Sequence, residues 1–296
     1  MPNSWTRVAI EKFHGYSPRN AARLHRPSTL SAVLFILLDT CIIHLAPCRA
    51  LVFKYLNPST QTDASRTRLV GQVAARAVGS VFLVLMFPAA IRTLIDPEMR
   101  SSHYSALYHT SGDSVWCIQV ASAYFIYDTY ICVFRYAENG LPFLIHGVLC
   151  CLAYMYPLVT GNMHYQGAAF LLWECSTPFL YMRWFAIKVR GDVIGPDRKR
   201  AWQDRANVLF ALAFFLCRIA SGPWQSWAYY RASAWDLGRG SGGGRQIGVW
   251  AVYAYRTAMV VLNGLNFFWF STIVKVAMAR DGKEATETPS SPKKAA

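Results

Sequence analysis

Acidic residues are scarce in this sequence, 16 Asp and Glu against 30 Lys and Arg, and charge of both signs occupies only 16% of its 296 positions. A soluble domain carries about 25% charged residues, so the shortage argues against an ordinary soluble enzyme. The eight cysteines form no Cys-x-x-Cys pair and lie mostly in apolar runs. That pattern speaks against a disulfide framework or a thiolate metal site and for buried free thiols. The seven histidines include neither a His-His nor a His-x-x-His cluster, which removes the di-iron desaturases and hydroxylases. No Gly-x-Ser-x-Gly elbow is present. The glycine-rich stretch 238–248 lacks the Gly-Lys-Ser/Thr ending of a phosphate-cradling loop and reads as a linker. No secretory leader is expected, because the first apolar run begins only near Leu30.

What is abundant is apolar length. Hydrophobic residues make up 54% of the chain and aromatics 15%. A helix needs about 20 apolar residues to cross a bilayer. Runs suited to that lie at 30–46, 69–94, 116–134, 141–160, 167–187, 208–230 and 249–276. The expected fold is all-α, a polytopic membrane protein with about seven transmembrane helices. Residues 1–29 form a basic N-terminal segment with a faint transit-peptide look, 30–67 the first span and its linker, and 277–296 a disordered tail.

The net charge of +14 resides mainly between the apolar runs, where headgroups and the positive-inside rule account for it without nucleic acid. Loop five carries Arg183, Lys188, Arg190, Arg198, Lys199, Arg200 and Arg205, loop three Arg135, the tail Lys275, Arg280, Lys283, Lys293 and Lys294, and loop four none. That bias places the C-terminus in the cytosol, with the basic N-terminal segment dissenting. Lys293-Lys294 stand fourth and third from the end and resemble the dilysine retrieval signal of endoplasmic-reticulum membrane proteins, which a coat protein reads. The signal requires the same cytosolic orientation.

Several polar residues fall inside the runs, where each is costly unless it faces protein or a wet cavity. Glu174, Cys175, Ser176, Thr177 and Pro178 interrupt the fifth, and Pro178 is expected to bend it. Asp128 and His146 lie about ten and eight residues from the turn between spans three and four, which puts them at matched depth on neighbouring helices. A carboxylate that orients a histidine prepares a base or nucleophile. The plainer alternative is a structural interhelical hydrogen bond. Glu174 is offset from His146 by on the order of 10 Å along straight helices, so the two are expected to share a cavity without touching. Arg76, Arg183, Arg218 and Arg256 are candidate counter-ions. Arg218 and Arg256 also suit a headgroup or acyl-carrier phosphate.

Four stretches carry a family resemblance: Pro142-Phe143-Leu144-Ile145-His146; Glu174-Cys175-Ser176-Thr177-Pro178-Phe179-Leu180 with Arg183-Trp184-Phe185; Phe214-Phe215-Leu216-Cys217-Arg218; and Leu262-Asn263-Gly264-Leu265-Asn266-Phe267-Phe268-Trp269-Phe270. Together they resemble the TLC-domain family, the superfamily of the ceramide synthases, over residues 68–276. The likeness is nearest to its plain TLC-domain-containing transmembrane proteins. The resemblance implies six helices around a central lipid-accessible cavity, an added N-terminal span, an endoplasmic-reticulum location and a part in lipid homeostasis through binding, sensing or transport. Glu174, Ser176, Thr177, Arg218, Arg256 and Asn263 would then line the cavity, with membrane lipids of sphingolipid or fatty-acyl type as partners and no metal or cofactor. Self-association as a homo-oligomer is left open. The alternative is a ceramide-synthase-type N-acyltransferase using His146 and Asp128, with acyl-CoA as co-substrate. His146 matches the first histidine of the synthases' adjacent pair, but Gly147 stands at the second.

Overall fold

The computed structural model describes residues 18–57, 62–239 and 246–287. The elements in chain order are α1 (Pro18–His44), α2 (Ala46–Tyr55), α3 (Asp63–Ile95), α4 (Pro97–Arg100), α5 (His103–Tyr108), α6 (Gly112–Phe134), α7 (Tyr136–Thr160), α8 (His164–Leu171), a 3-10 segment (Leu172–Ser176), α9 (Thr177–Lys188), α10 (Gly191–Ile194), α11 (Pro196–Phe214), a π-helical segment (Phe215–Ala220), α12 (Ser221–Gly238) and α13 (Val249–Glu287). Among the described residues β structure is confined to one isolated antiparallel bridge, Leu56 to Val189, which ties the end of α2 to the end of α9. Lys293 and Lys294 lie outside the described residues, as do most of the basic N-terminal segment and residues 240–245 of the glycine-rich linker.

Among the described residues, five helices are long and apolar enough to cross a membrane: Asp63–Ile95, Gly112–Phe134, Tyr136–Thr160, Pro196–Gly238 and Val249–Met278. A sixth crossing is available if Leu30–His44 and Ala46–Tyr55, bent by 68°, act together. The fifth expected span, 167–187, is helical throughout but not one regular α-helix. Its backbone changes from α to 3-10 and back over α8, Leu172–Ser176 and α9. Pro178 explains the change: it has no amide proton to give an α-helical turn, so it sits at the start of α9 and the strained turn is taken up before it. There Thr177 N–H reaches the Glu174 carbonyl three residues back.

The span most enclosed by protein is α6, with 67% of its apolar window buried against 17–44% for the other four. Its N-terminus is closed by a capping box, Ser114 N–H donating to Ser111 Oγ at 3.2 Å and Ser111 N–H to Ser114 Oγ at 2.9 Å. Around it pack α1, α3 and α7, with Phe82 of α3 stacked on Tyr124 of α6 at 3.9 Å between ring centres. Asp39 of α1 is buried, and it accepts from Tyr127 Oη at 2.9 Å and from Arg135 Nη2 at 2.7 Å. Arg135, counted by sequence as a loop charge, sits half-buried at the turn between α6 and α7 with its guanidinium directed inward, where it also donates to the Gly71 carbonyl at 2.7 Å. α6 and α7 meet at Arg135 with almost no loop, and Gly140 (φ 76°, ψ 176°) then kinks the start of α7, a conformation open to glycine alone.

Candidate functional site

The interrupted segment and the π-helical segment face each other, and each supplies half of a buried polar cluster. A 3-10 turn holds three residues, so side chains three apart eclipse. That places Thr177 Oγ1 over Glu174, donating to Oε2 at 2.6 Å, and Ser176 Oγ over the Trp173 carbonyl at 3.0 Å. Opposite, Arg218 sits in Phe215–Ala220, just before Pro223. Proline cannot donate to a carbonyl of the preceding turn, and a wider π turn before it absorbs the misfit. Arg218 Nη2 donates to Glu174 Oε1 at 3.0 Å and approaches Thr177 Oγ1 at 3.4 Å. Its Nε donates to Ser176 Oγ at 2.9 Å, and Nη1 to Asn266 Oδ1 of α13 at 3.3 Å. Glu174 and Arg218 are 9% and 7% exposed, so this is a buried ion pair with nearly complete hydrogen bonding.

Four of the residues singled out in the sequence, Glu174, Ser176, Thr177 and Arg218, thus meet. Asn266, which sequence reasoning located in the last span without giving it a role, completes the cluster. Only its 48-residue separation from Arg218 hid the contact. The other two stand apart from it. Asn263 Nδ2 donates to Ser226 Oγ at 2.9 Å and to the Met259 carbonyl at 2.8 Å. Arg256 bonds Ser233 Oγ at 2.9 Å and lies over the Tyr230 ring at 4.1 Å. Of the other candidate counter-ions, Arg183 bonds Asn207 at 2.7 Å and Arg76 bonds the Gln72 carbonyl at 2.8 Å.

The register expected for Asp128 and His146 lands one residue off. Gly147 faces Asp128 so closely that a Cβ there would lie 3.2 Å from Asp128 Oδ2. No hydrogen bond joins Asp128 to His146 among the described residues. The His146 ring is placed instead by Cys150 Sγ, 3.7 Å from Nε2, and by the edges of Trp269 and Phe125. A second histidine at 147 would have to displace the Asp128 carboxylate.

His146 and Glu174 line one narrow pocket of about 50 Å³, otherwise walled by residues such as Phe125, Leu171, Met259 and Leu262. That volume holds a few waters and no acyl chain. A second and larger cleft, of about 930 Å³, opens beside it between α5, α8 and α12, and Gln166 and Phe170 line both.

A bundle of long apolar helices with a buried ion pair at its centre defines a multi-pass helical membrane protein. Residues 72–275 match the family model for the TLC domain, and the chain belongs to the TLC-domain family. Among curated relatives, TLC domain-containing protein 4 of Xenopus tropicalis is 30% identical over 258 residues, covering 79% of this chain and 90% of that protein. An uncharacterized TLC domain-containing protein of Saccharomyces cerevisiae is 26% identical over 223 residues, covering 71% of this chain and 65% of that protein. TLC domain-containing protein 4 of Homo sapiens is 31% identical over 178 residues, or 56% of this chain and 62% of that protein.

Proposed function

We propose that this protein resides in the endoplasmic-reticulum membrane with its C-terminus in the cytosol and handles lipid, binding or moving it without covalent chemistry. The observation that carries this reading is the pair of adjoining cavities. A narrow apolar pocket with Glu174 and His146 in its wall meets, through Gln166 and Phe170, a cleft large enough for a lipid headgroup and the first part of its chains. The Glu174–Arg218 pair holds the 3-10 segment, the start of α9, the π-helical segment and α13 together behind that wall. Its donors and acceptors are engaged with one another, which suits a scaffold better than a reacting centre. Acyl transfer by His146 gains less support, since a base needs an orienting partner and His146 has a thiol and two aromatic edges instead.

The test is incubation of purified protein with labelled acyl-CoA and a sphingoid base. No amide product is expected. Robust product that disappears in His146→Ala would replace this reading with the acyltransferase.

A further inference from the structure

The larger cleft has a chemistry of its own. Its rim carries Arg100 from the end of α4, His103 from the start of α5 and Arg231 from α12, and no acidic residue lines it. Among the described residues neither arginine takes part in an ion pair, and both are exposed. The walls are aromatic, with Trp224 72% exposed beside Phe170 and Trp235. Deeper in, three lining side chains hold polar atoms that are out of contact with solvent and without a partner: Gln166 Oε1, Gln225 Oε1 and Tyr229 Oη. Gln166 is 7% and Tyr229 1% exposed. Buried polar atoms without partners are rare and costly; these lie just beneath the cleft surface, and the two glutamine side chains meet an occupant only by turning outward into the cleft.

We infer that this cleft binds a glycerophospholipid with an anionic, hydroxyl-bearing headgroup. The inference rests on the lipid-handling reading and names the lipid class and its seat. Two unpaired guanidinium groups fit a phosphate, which they grip through paired N–H donors. The two glutamine oxygens are acceptors, so they call for donors, and headgroup hydroxyls supply them. A choline headgroup offers neither net negative charge nor a hydroxyl. The exposed tryptophan wall suits glycerol and the proximal acyl carbons at the membrane–water boundary, where amphipathic rings accumulate. The same wall makes a small soluble phosphate a poor occupant. Phe170 and Gln166 form the partition through which the cleft meets the narrow pocket, so chain carbons that displace Phe170 enter beside His146.

The experiment is native mass spectrometry of the full-length protein in detergent, with equal amounts of phosphatidylinositol and phosphatidylcholine added. Wild type is expected to retain phosphatidylinositol about tenfold over phosphatidylcholine, the size of effect one charged contact gives. Arg100→Gln with Arg231→Gln should remove that preference and leave phosphatidylcholine retention as it was. The double lysine variant Arg100→Lys with Arg231→Lys keeps the charge and should keep part of the preference, which separates a lost site from a misfolded protein. Gln166→Leu with Gln225→Leu should lower phosphatidylinositol retention while leaving that of phosphatidic acid, which lacks headgroup hydroxyls. Inositol phosphate at millimolar concentration should not displace the lipid, and displacement would overturn a lipid occupant. Equal retention of both lipids by wild type overturns the headgroup claim. Unchanged selectivity in the arginine variants overturns the location while lipid handling stands. Retention of no lipid by wild type overturns both.

Discussion

Removing one member of the Glu174–Arg218 pair isolates the other charge inside the bundle, and the size of the loss reveals what the pair is. In Glu174→Gln the Arg218 guanidinium keeps Ser176, Thr177 and Asn266 as neutral acceptors but loses its counter-charge. In Arg218→Met the carboxylate keeps only the Thr177 hydroxyl at 2.6 Å. Breaking a buried pair in this way costs about 3–5 kcal/mol, whereas an ordinary interhelical hydrogen bond in a membrane protein averages about 0.6 kcal/mol. Each single variant is therefore expected to lower the unfolding midpoint by roughly 6–20 °C, at about 2–4 °C per kcal/mol for a domain of this size. The double variant removes both charges and should cost well under the sum of the singles, because a neutral replacement leaves nothing uncompensated. Thermal unfolding of the detergent-purified protein, followed by tryptophan fluorescence through the full double-mutant cycle, measures this. A coupling no larger than about 0.6 kcal/mol would refute the reasoning and reduce the pair to a common hydrogen bond.

Other consequences follow from the same geometry. Gly147→His, which recreates the synthases' adjacent histidines, should destabilise the protein by about 1–3 kcal/mol through overpacking against Asp128 and should give no amide synthesis; gain of product would contradict the account. Asp39→Asn should unfold at lower temperature than wild type by the equivalent of up to about 3 kcal/mol, since it leaves the half-buried Arg135 without its counter-charge. At the loop end, Tyr108 Oη donates to buried Asp236 Oδ1 at 2.7 Å, and burial first, then that bond, raises the phenol above its ordinary value. The folded state thus holds this proton longer than the unfolded chain does. Its stabilisation is intact below about pH 10 and lost as pH rises beyond it; Tyr108→Phe should flatten the alkaline fall in melting temperature. Changing Lys293 and Lys294 to serine should release the protein from the endoplasmic reticulum, as read by fluorescence microscopy, and unaltered residence would make them an ordinary basic tail.

The apolar runs told most of the architecture, because bilayer thickness sets helix length directly. They did not tell the helix type where backbone hydrogen bonding, not hydropathy, decides it. The run at 167–187 is helical throughout, and the Glu174–Pro178 interruption, expected as a bend, takes the form of a 3-10 segment between α8 and α9. The site was half legible. Glu174, Ser176 and Thr177 announced themselves as polar residues in an apolar run, and Arg218 as a buried cation in need of a partner. Their direct assembly depends on a 3-10 turn facing a π turn, which a count of residues along straight helices does not reveal. Arg135 was legible as a charge at the turn between α6 and α7, but its pairing with Asp39, 96 residues away, had no sequence signal. The cleft lined by Gln166, Gln225 and Tyr229 had no sequence signal, since amides and phenols are common at helix ends and only their lack of partners marks them.

The central claim, that the bundle holds lipid and does not acylate it, meets its most direct test in the native mass spectrum of the protein taken straight from its own membrane. The account predicts a chain carrying one phospholipid, retained in His146→Ala. A bare chain, or an adduct of acyl mass that vanishes in His146→Ala, would contradict it.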